Sequence, residues 1–200
     1  MSGTKVKICG LSREQDIEAA NQARPDYIGF VFAESRRRVT PEQAKRLRER
    51  LEPGIVPVGV FVNAPEKEIL ALLTEGVIDI AQLHGNEDEA FVRRIQEYSG
   101  KPVIKAVKVL SEQDVLRWRN SQADYLLLDS GAGSGKQFDW SLIRRCGCPF
   151  FLAGGLNAAN VVQAIRQVQP YAVDLSSGAE TDGVKDPEKM ERIVRSVRDE

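Results

Sequence analysis

Short apolar runs alternate with segments of helical periodicity from one end of the chain to the other. The runs fall at residues 6–9, 27–32, 56–62, 77–83, 103–107, 125–128, 150–153 and 172–175. Most are apolar on both faces, the pattern of parallel strands covered on either side. Between them apolar residues recur at helical spacing, as in Phe91, Ile95 and Tyr98, and in Met190, Ile193, Val194 and Val197. Each such segment predicts one stripe turned toward a core. Helix starts are also marked: Ser12 is available to cap the first helix, Thr40-Pro41 with Gln43 reads as a capping box with proline at the first position, and Asp186-Pro187 repeats the cap and proline. Eight such units at about 25 residues each predict an α/β chain folded as one (β/α)8 barrel domain over residues 1–200, with short loops. A doubly wound open sheet has a similar local pattern but accounts less well for eight uniform units.

At 200 residues, 42% hydrophobic and 28% charged, the chain has the make-up of an ordinary soluble domain with one sizeable core. The formal net charge of -1 provides no basic field to draw nucleic acid or an anionic membrane, so the expected partner is a small molecule. No apolar run approaches the ~18 residues of a membrane span, and the start lacks a basic and apolar leader, which predicts a cytoplasmic protein. The three cysteines, Cys9, Cys146 and Cys148, are read as reduced thiols, because Cys146-Gly147-Cys148 is too close for a C-x-x-C motif. A single histidine argues against a His-rich metal centre. Monomer or homodimer is left open.

Functional residues of such a barrel sit at the C-terminal ends of its strands. Two of these ends, Ala153-Gly154-Gly155-Leu156-Asn157 and Asp174-Leu175-Ser176-Ser177-Gly178-Ala179-Glu180, pass into polar, glycine-bearing turns. Glycines let an anion approach free backbone N–H groups, so the two turns could converge on one phosphate. Asp129 follows Leu126-Leu127-Leu128, where partial desolvation would favour the protonated acid; the plainer reading is a cap or loop acceptor. The following stretch, 130–136, departs from a Walker A sequence and reads better as a flap over the pocket. Cys9 ends the first run: either a small buried hydrophobe, or a base if nearby positive charge lowers its pKa from about 8.5. Ser35-Arg36-Arg37-Arg38 is a solvated turn or, through one guanidinium, a carboxylate clamp. Of Gln82 and His84, only one need face the pocket; Lys105 and Lys108 fall on opposite strand faces.

Taken in order, Lys7-Ile8-Cys9-Gly10-Leu11, Gly29-Phe30-Val31-Phe32, Ser35 with Arg37, Gln82-Leu83-His84-Gly85, Leu128-Asp129-Ser130, Gly135-Lys136 with Phe138-Asp139-Trp140, and the two glycine-bearing turns with Gly183, Lys185 and Asp186 resemble the phosphoribosylanthranilate isomerases of tryptophan biosynthesis. The resemblance spans the chain. It implies a barrel enzyme that carries out an Amadori rearrangement of a phosphorylated aminoaldose by acid–base catalysis, without cofactor or metal. It also implies Cys9 as general base and Asp129 as general acid, Arg37 on the anthranilate carboxylate, phosphate around Gly155, Ser177 and Gly178, Asp174 near the sugar hydroxyls, and Gln82, His84, Gly154 and Ser176 as substrate-binding positions. The family often has proline and tyrosine where Arg36 and Arg38 stand, so which of the three arginines meets substrate is left open. The alternatives are another phosphosugar barrel, such as an indoleglycerol-phosphate synthase or a metal-dependent ribulose-phosphate epimerase, or a catalytically silent barrel that binds a phosphorylated ligand.

Overall fold

The computed structural model describes residues 3–129, 140–143 and 146–200. Eight parallel strands close into a barrel in chain order: β1 (Lys5–Cys9), β2 (Tyr27–Val31), β3 (Val56–Phe61), β4 (Ile80–Leu83), β5 (Val103–Lys108), β6 (Tyr125–Asp129), β7 (Phe150–Ala153) and β8 (Ala172–Leu175). Pairing of β1 with β8, Lys7 opposite Asp174, completes the ring. The open-sheet alternative is thereby excluded. Around the barrel lie α1 (Glu14–Ala23), α2 (Pro41–Glu49), α3 (Glu66–Thr74), α4 (Glu89–Ser99), α5 (Glu112–Trp118), α6 (Val161–Val168) and α7 (Pro187–Arg198). After β8 come a short 3-10 turn (Ser177–Ala179) and a hairpin of β9 (Glu180–Thr181) and β10 (Val184–Lys185). No helix among the described residues is long and apolar enough to cross a membrane.

Strand alternation sorts the side chains into two cores. Val6, Ile8, Ile28, Phe30, Leu126 and Leu128 point outward to the helices, whereas Val58, Ile80, Ile104, Leu127 and Phe151 fill the barrel. Its N-terminal end is stoppered by aromatic rings: Tyr125 stacks on Tyr171 with centroids 4.8 Å apart, Phe151 meets both, and the hydroxyls of Tyr27 and Tyr171 lie 2.8 Å apart.

Several local expectations need correction. Residues 77–79 leave α3 rather than start a strand: the Val77 N–H returns to the Leu72 carbonyl at 3.0 Å, and burial alone made them look like strand. Tyr98 is 68% exposed; Val92 and Ile95 carry the buried stripe of α4. At α1 the cap is supplied by Asp16, whose carboxylate accepts from the N–H groups of Ser12 and Arg13. Thr40 does accept from the Gln43 N–H, but the Gln43 side chain donates to the Ser12 carbonyl instead of closing a box. Asp186 caps α7 as expected, accepting from the Lys189 N–H at 3.1 Å. Between β6 and β7 the described residues hold only a 3-10 turn, Trp140–Ile143. The stretch read as a flap, and Phe138-Asp139, lie outside the described residues.

Candidate active site

All of the expected site residues except Gly178 line one cavity of about 310 Å³ at the C-terminal mouth of the barrel. Cys9, Asp129 and Asp174 are inward positions by the same period-two rule that fills the barrel below them. Gln82 and His84 both face this cavity. Being two residues apart they share a strand face, and Leu83 between them points outward into the helix layer.

Cys9 is buried against a charged floor. Lys7, two residues earlier on the inward face, is fully buried; its Nζ donates to Asp174 Oδ2 at 2.9 Å, and its charge acts on the Cys9 thiol. Burial opposes the ammonium, but Asp174 and Cys9 more than offset this and hold the Lys7 pKa above the ordinary lysine value. Burial pushes the Cys9 thiol up, against the opposing pull of Lys7; Asp174 adds to the rise and Lys185 counters it. Asp174 Oδ1 is buried without a hydrogen-bond partner, an arrangement that costs free energy until a donor reaches it.

Asp129 ends β6 on the far wall, in register with Ala153 of β7. Its side chain is 24% exposed, and its Oδ2 lies 3.6 Å from His84 Nε2, longer than a direct hydrogen bond. His84 Nδ1 is 2.9 Å from Gln82 Nε2. With the amide nitrogen donating, the ring proton sits on Nε2 and faces Asp129.

The two glycine-bearing turns meet. A Cβ on Gly178 would lie 2.0 Å from the Leu156 carbonyl oxygen, so only glycine allows this approach. Gly154 and Gly155 take left-handed φ angles of 95° and 66°, which turn the chain sharply out of β7. Asn160 Nδ2 donates to the Gly155 carbonyl at 3.0 Å, and Lys185 Nζ to the Ser176 carbonyl at 3.1 Å. In a planar trans peptide the N–H points opposite to the carbonyl, so these bonds direct the N–H groups of Leu156 and Ser177 the other way. Ser176 Oγ donates to the Cys9 carbonyl at 3.0 Å and ties this corner to β1. Gly178→Ala should force the turns apart by roughly 1 Å, a displacement that can cost ~10²-fold in activity. The expected result is a raised KM for a phosphorylated substrate and weakened competition by inorganic phosphate; wild-type values for both would show that the contact is dispensable.

Of the three consecutive arginines, Arg37 lines the cavity. Its Nε and Nη2 donate to the two oxygens of Glu180 at 2.6 and 2.8 Å, and Arg36 Nη2 donates to Glu180 Oε2 at 2.7 Å. Arg38 pairs with Glu34 at the surface. Lys105 and Lys108 part as expected: Lys105 is buried on Glu87 at 2.9 Å, and Lys108 is exposed. Sequence reasoning gave no role to Lys7, Glu180 or Lys185. The inward spacing of Lys5, Lys7 and Cys9 is the one signal that a cation lay under the thiol. Among the described residues, no three His, Cys, Asp or Glu side chains gather as a metal site would require.

A family model described as N-(5'phosphoribosyl)anthranilate (PRA) isomerase matches residues 6–196. The chain is 46% identical over 199 residues to the N-(5'-phosphoribosyl)anthranilate isomerase of Endomicrobium trichonymphae, covering 97% of this chain and 98% of that protein. Phosphoribosyl anthranilate isomerase from Thermotoga maritima superposes with a TM-score of 0.90 at 39% identity, covering 98% of this chain and 99% of that one. A phosphoribosyl anthranilate isomerase in complex with reduced 1-(o-carboxyphenylamino)-1-deoxyribulose 5-phosphate gives a TM-score of 0.87 at 38% identity, with the same coverage.

Proposed function

The chain belongs to the N-(5'-phosphoribosyl)anthranilate isomerase family, and we infer from this membership that Cys9 and Asp129 share the proton transfers of its reaction. The chain catalyses the Amadori rearrangement of N-(5'-phosphoribosyl)anthranilate to 1-(2-carboxyphenylamino)-1-deoxyribulose 5-phosphate, a step of tryptophan biosynthesis. Substrate and product are isomers, so every proton removed is returned. Asp129 donates to the furanose oxygen as the anilino nitrogen expels it, which opens the ring to an iminium. Cys9 thiolate then takes the C2 proton, and the electron pair moves onto the iminium nitrogen to give an enaminol. Protonation at C1 and loss of the O2 proton complete the aminoketose.

Three anchors hold the substrate across the mouth. Phosphate rests on the N–H groups of the Gly155 and Ser177–Gly178 corner, the anthranilate carboxylate meets the free edge of Arg37, and a sugar hydroxyl donates to Asp174 Oδ1. That last contact satisfies the one buried carboxylate oxygen left without a donor at the site. The raised pKa of Cys9 leaves little thiolate at neutral pH but makes that thiolate a stronger base. The observation that carries this reading is the common cavity lined by Cys9, Asp129, Arg37 and Asp174 with the glycine corner at its edge.

Family membership removes the synthase and epimerase alternatives. Catalysis is tested by mixing the purified protein with freshly prepared phosphoribosylanthranilate and following its anthranilate fluorescence. The signal should decay at a rate proportional to protein concentration. Saturable binding without decay would overturn the assignment in favour of the silent barrel.

A further inference from the structure

Glu180 sits behind the site, outside the cavity lining, yet three cations converge on it. Its side chain is 4% exposed, and it accepts from Arg36, from Arg37 through two parallel bonds, and from Lys185 Nζ at 2.5 Å. Lys189 adds a bond to its backbone carbonyl at 2.7 Å. The loop after β2 and strand β10 thus fix the carboxylate from opposite sides, and α7 holds its backbone. Three positive charges against one negative leave the cluster cationic, so it still attracts a substrate anion. Arg37 is gripped at its Nε and Nη2 edge, and the stem of the same side chain runs over Gly10, where an added Cβ would meet Arg37 Cδ at 2.4 Å. Such a guanidinium cannot swing. Its Nη1 edge stays open for a second carboxylate, and the planar fork loses little entropy on binding because it is already held.

We propose that Glu180 is a positioning residue of the isomerase: it aims Arg37 at the substrate carboxylate without touching the substrate itself. The inference rests on the reading of Arg37 given under the proposed function. Burial opposes the Glu180 carboxylate, but hydrogen bonds from Arg37 and Lys185 outweigh it and bring its pKa down to about 2, so the grip holds at any working pH.

A double-mutant cycle on KM and kcat for phosphoribosylanthranilate tests this. Arg37→Ala should raise KM about 10- to 100-fold, as loss of a charged hydrogen-bonding partner does. Glu180→Gln, which keeps the shape and removes the charge, should raise KM about tenfold with kcat within about threefold. In the Arg37→Ala background the same change should raise KM less than about threefold, because nothing remains to be aimed. An equal factor in both backgrounds, or an unchanged KM for Glu180→Gln beside a raised KM for Arg37→Ala, overturns the positioning role alone. An unchanged KM for Arg37→Ala overturns the Arg37 reading and the positioning role with it. If Glu180→Gln does not yield folded protein, Glu180→Asp takes its place in the cycle; it keeps the charge but withdraws it by one methylene, and the same readings decide.

Discussion

Cys9→Ala should lower kcat by at least about 10³-fold, equivalent to ~4 kcal/mol of barrier, because general bases contribute up to ~10⁴-fold and Cys9 is the base assigned to C2. The thermal midpoint should move by only a few degrees, since the change removes one sulfur atom and leaves the ladder of β1 intact. The pH dependence gives a second reading. Only the thiolate abstracts a proton, only protonated Asp129 donates one, and burial raises the thiol pKa, so the alkaline limb of kcat/KM should begin only past the ordinary thiol value of about 8.5. The fall should approach tenfold per pH unit once the thiol is mostly ionised. A near-normal rate for Cys9→Ala would remove Cys9 as the base.

The second large effect is expected of Asp129→Asn. The amide matches the carboxyl in shape and can still accept from its neighbours, but it has no proton to give the furanose oxygen. Loss of the acid should lower kcat by about 10²- to 10⁴-fold with KM little changed, because Asp129 is asked to act on the leaving oxygen and not to bind the ground state. Steady-state kinetics on folded protein decides it. A rate within a few-fold of wild type would mean that ring opening draws its proton from elsewhere.

The barrel was legible because parallel strands buried on both faces and amphipathic helices leave distinct periods in the chain. The errors arose where burial imitates a strand, as at Val77 and Ile78, or where spacing suits a stripe that packing does not use, as at Tyr98. Cap errors at Ser12 and Gln43 have another source: side chains choose among partners that local sequence cannot rank, and Gln43 found the Ser12 carbonyl on a neighbouring loop. The cavity wall followed from strand ends alone, and applying the period-two rule to Gln82 and His84 would have put both on it. The supporting charges were hidden for a different reason. Lys7 and Asp174 are 167 residues apart, and Arg37 and Glu180 are 143 apart, so their pairing exists only once the ring closes. Nothing local distinguishes a glutamate that organises three cations from one that faces water.

The tyrosine and phenylalanine rings that stopper the N-terminal end have a bearing on traffic through the enzyme. With that end sealed, the described residues leave the barrel open only at its C-terminal mouth, and the aminoketose leaves by the route its precursor took to enter. Arrival and departure therefore take turns, and each departing molecule holds the entrance against the next.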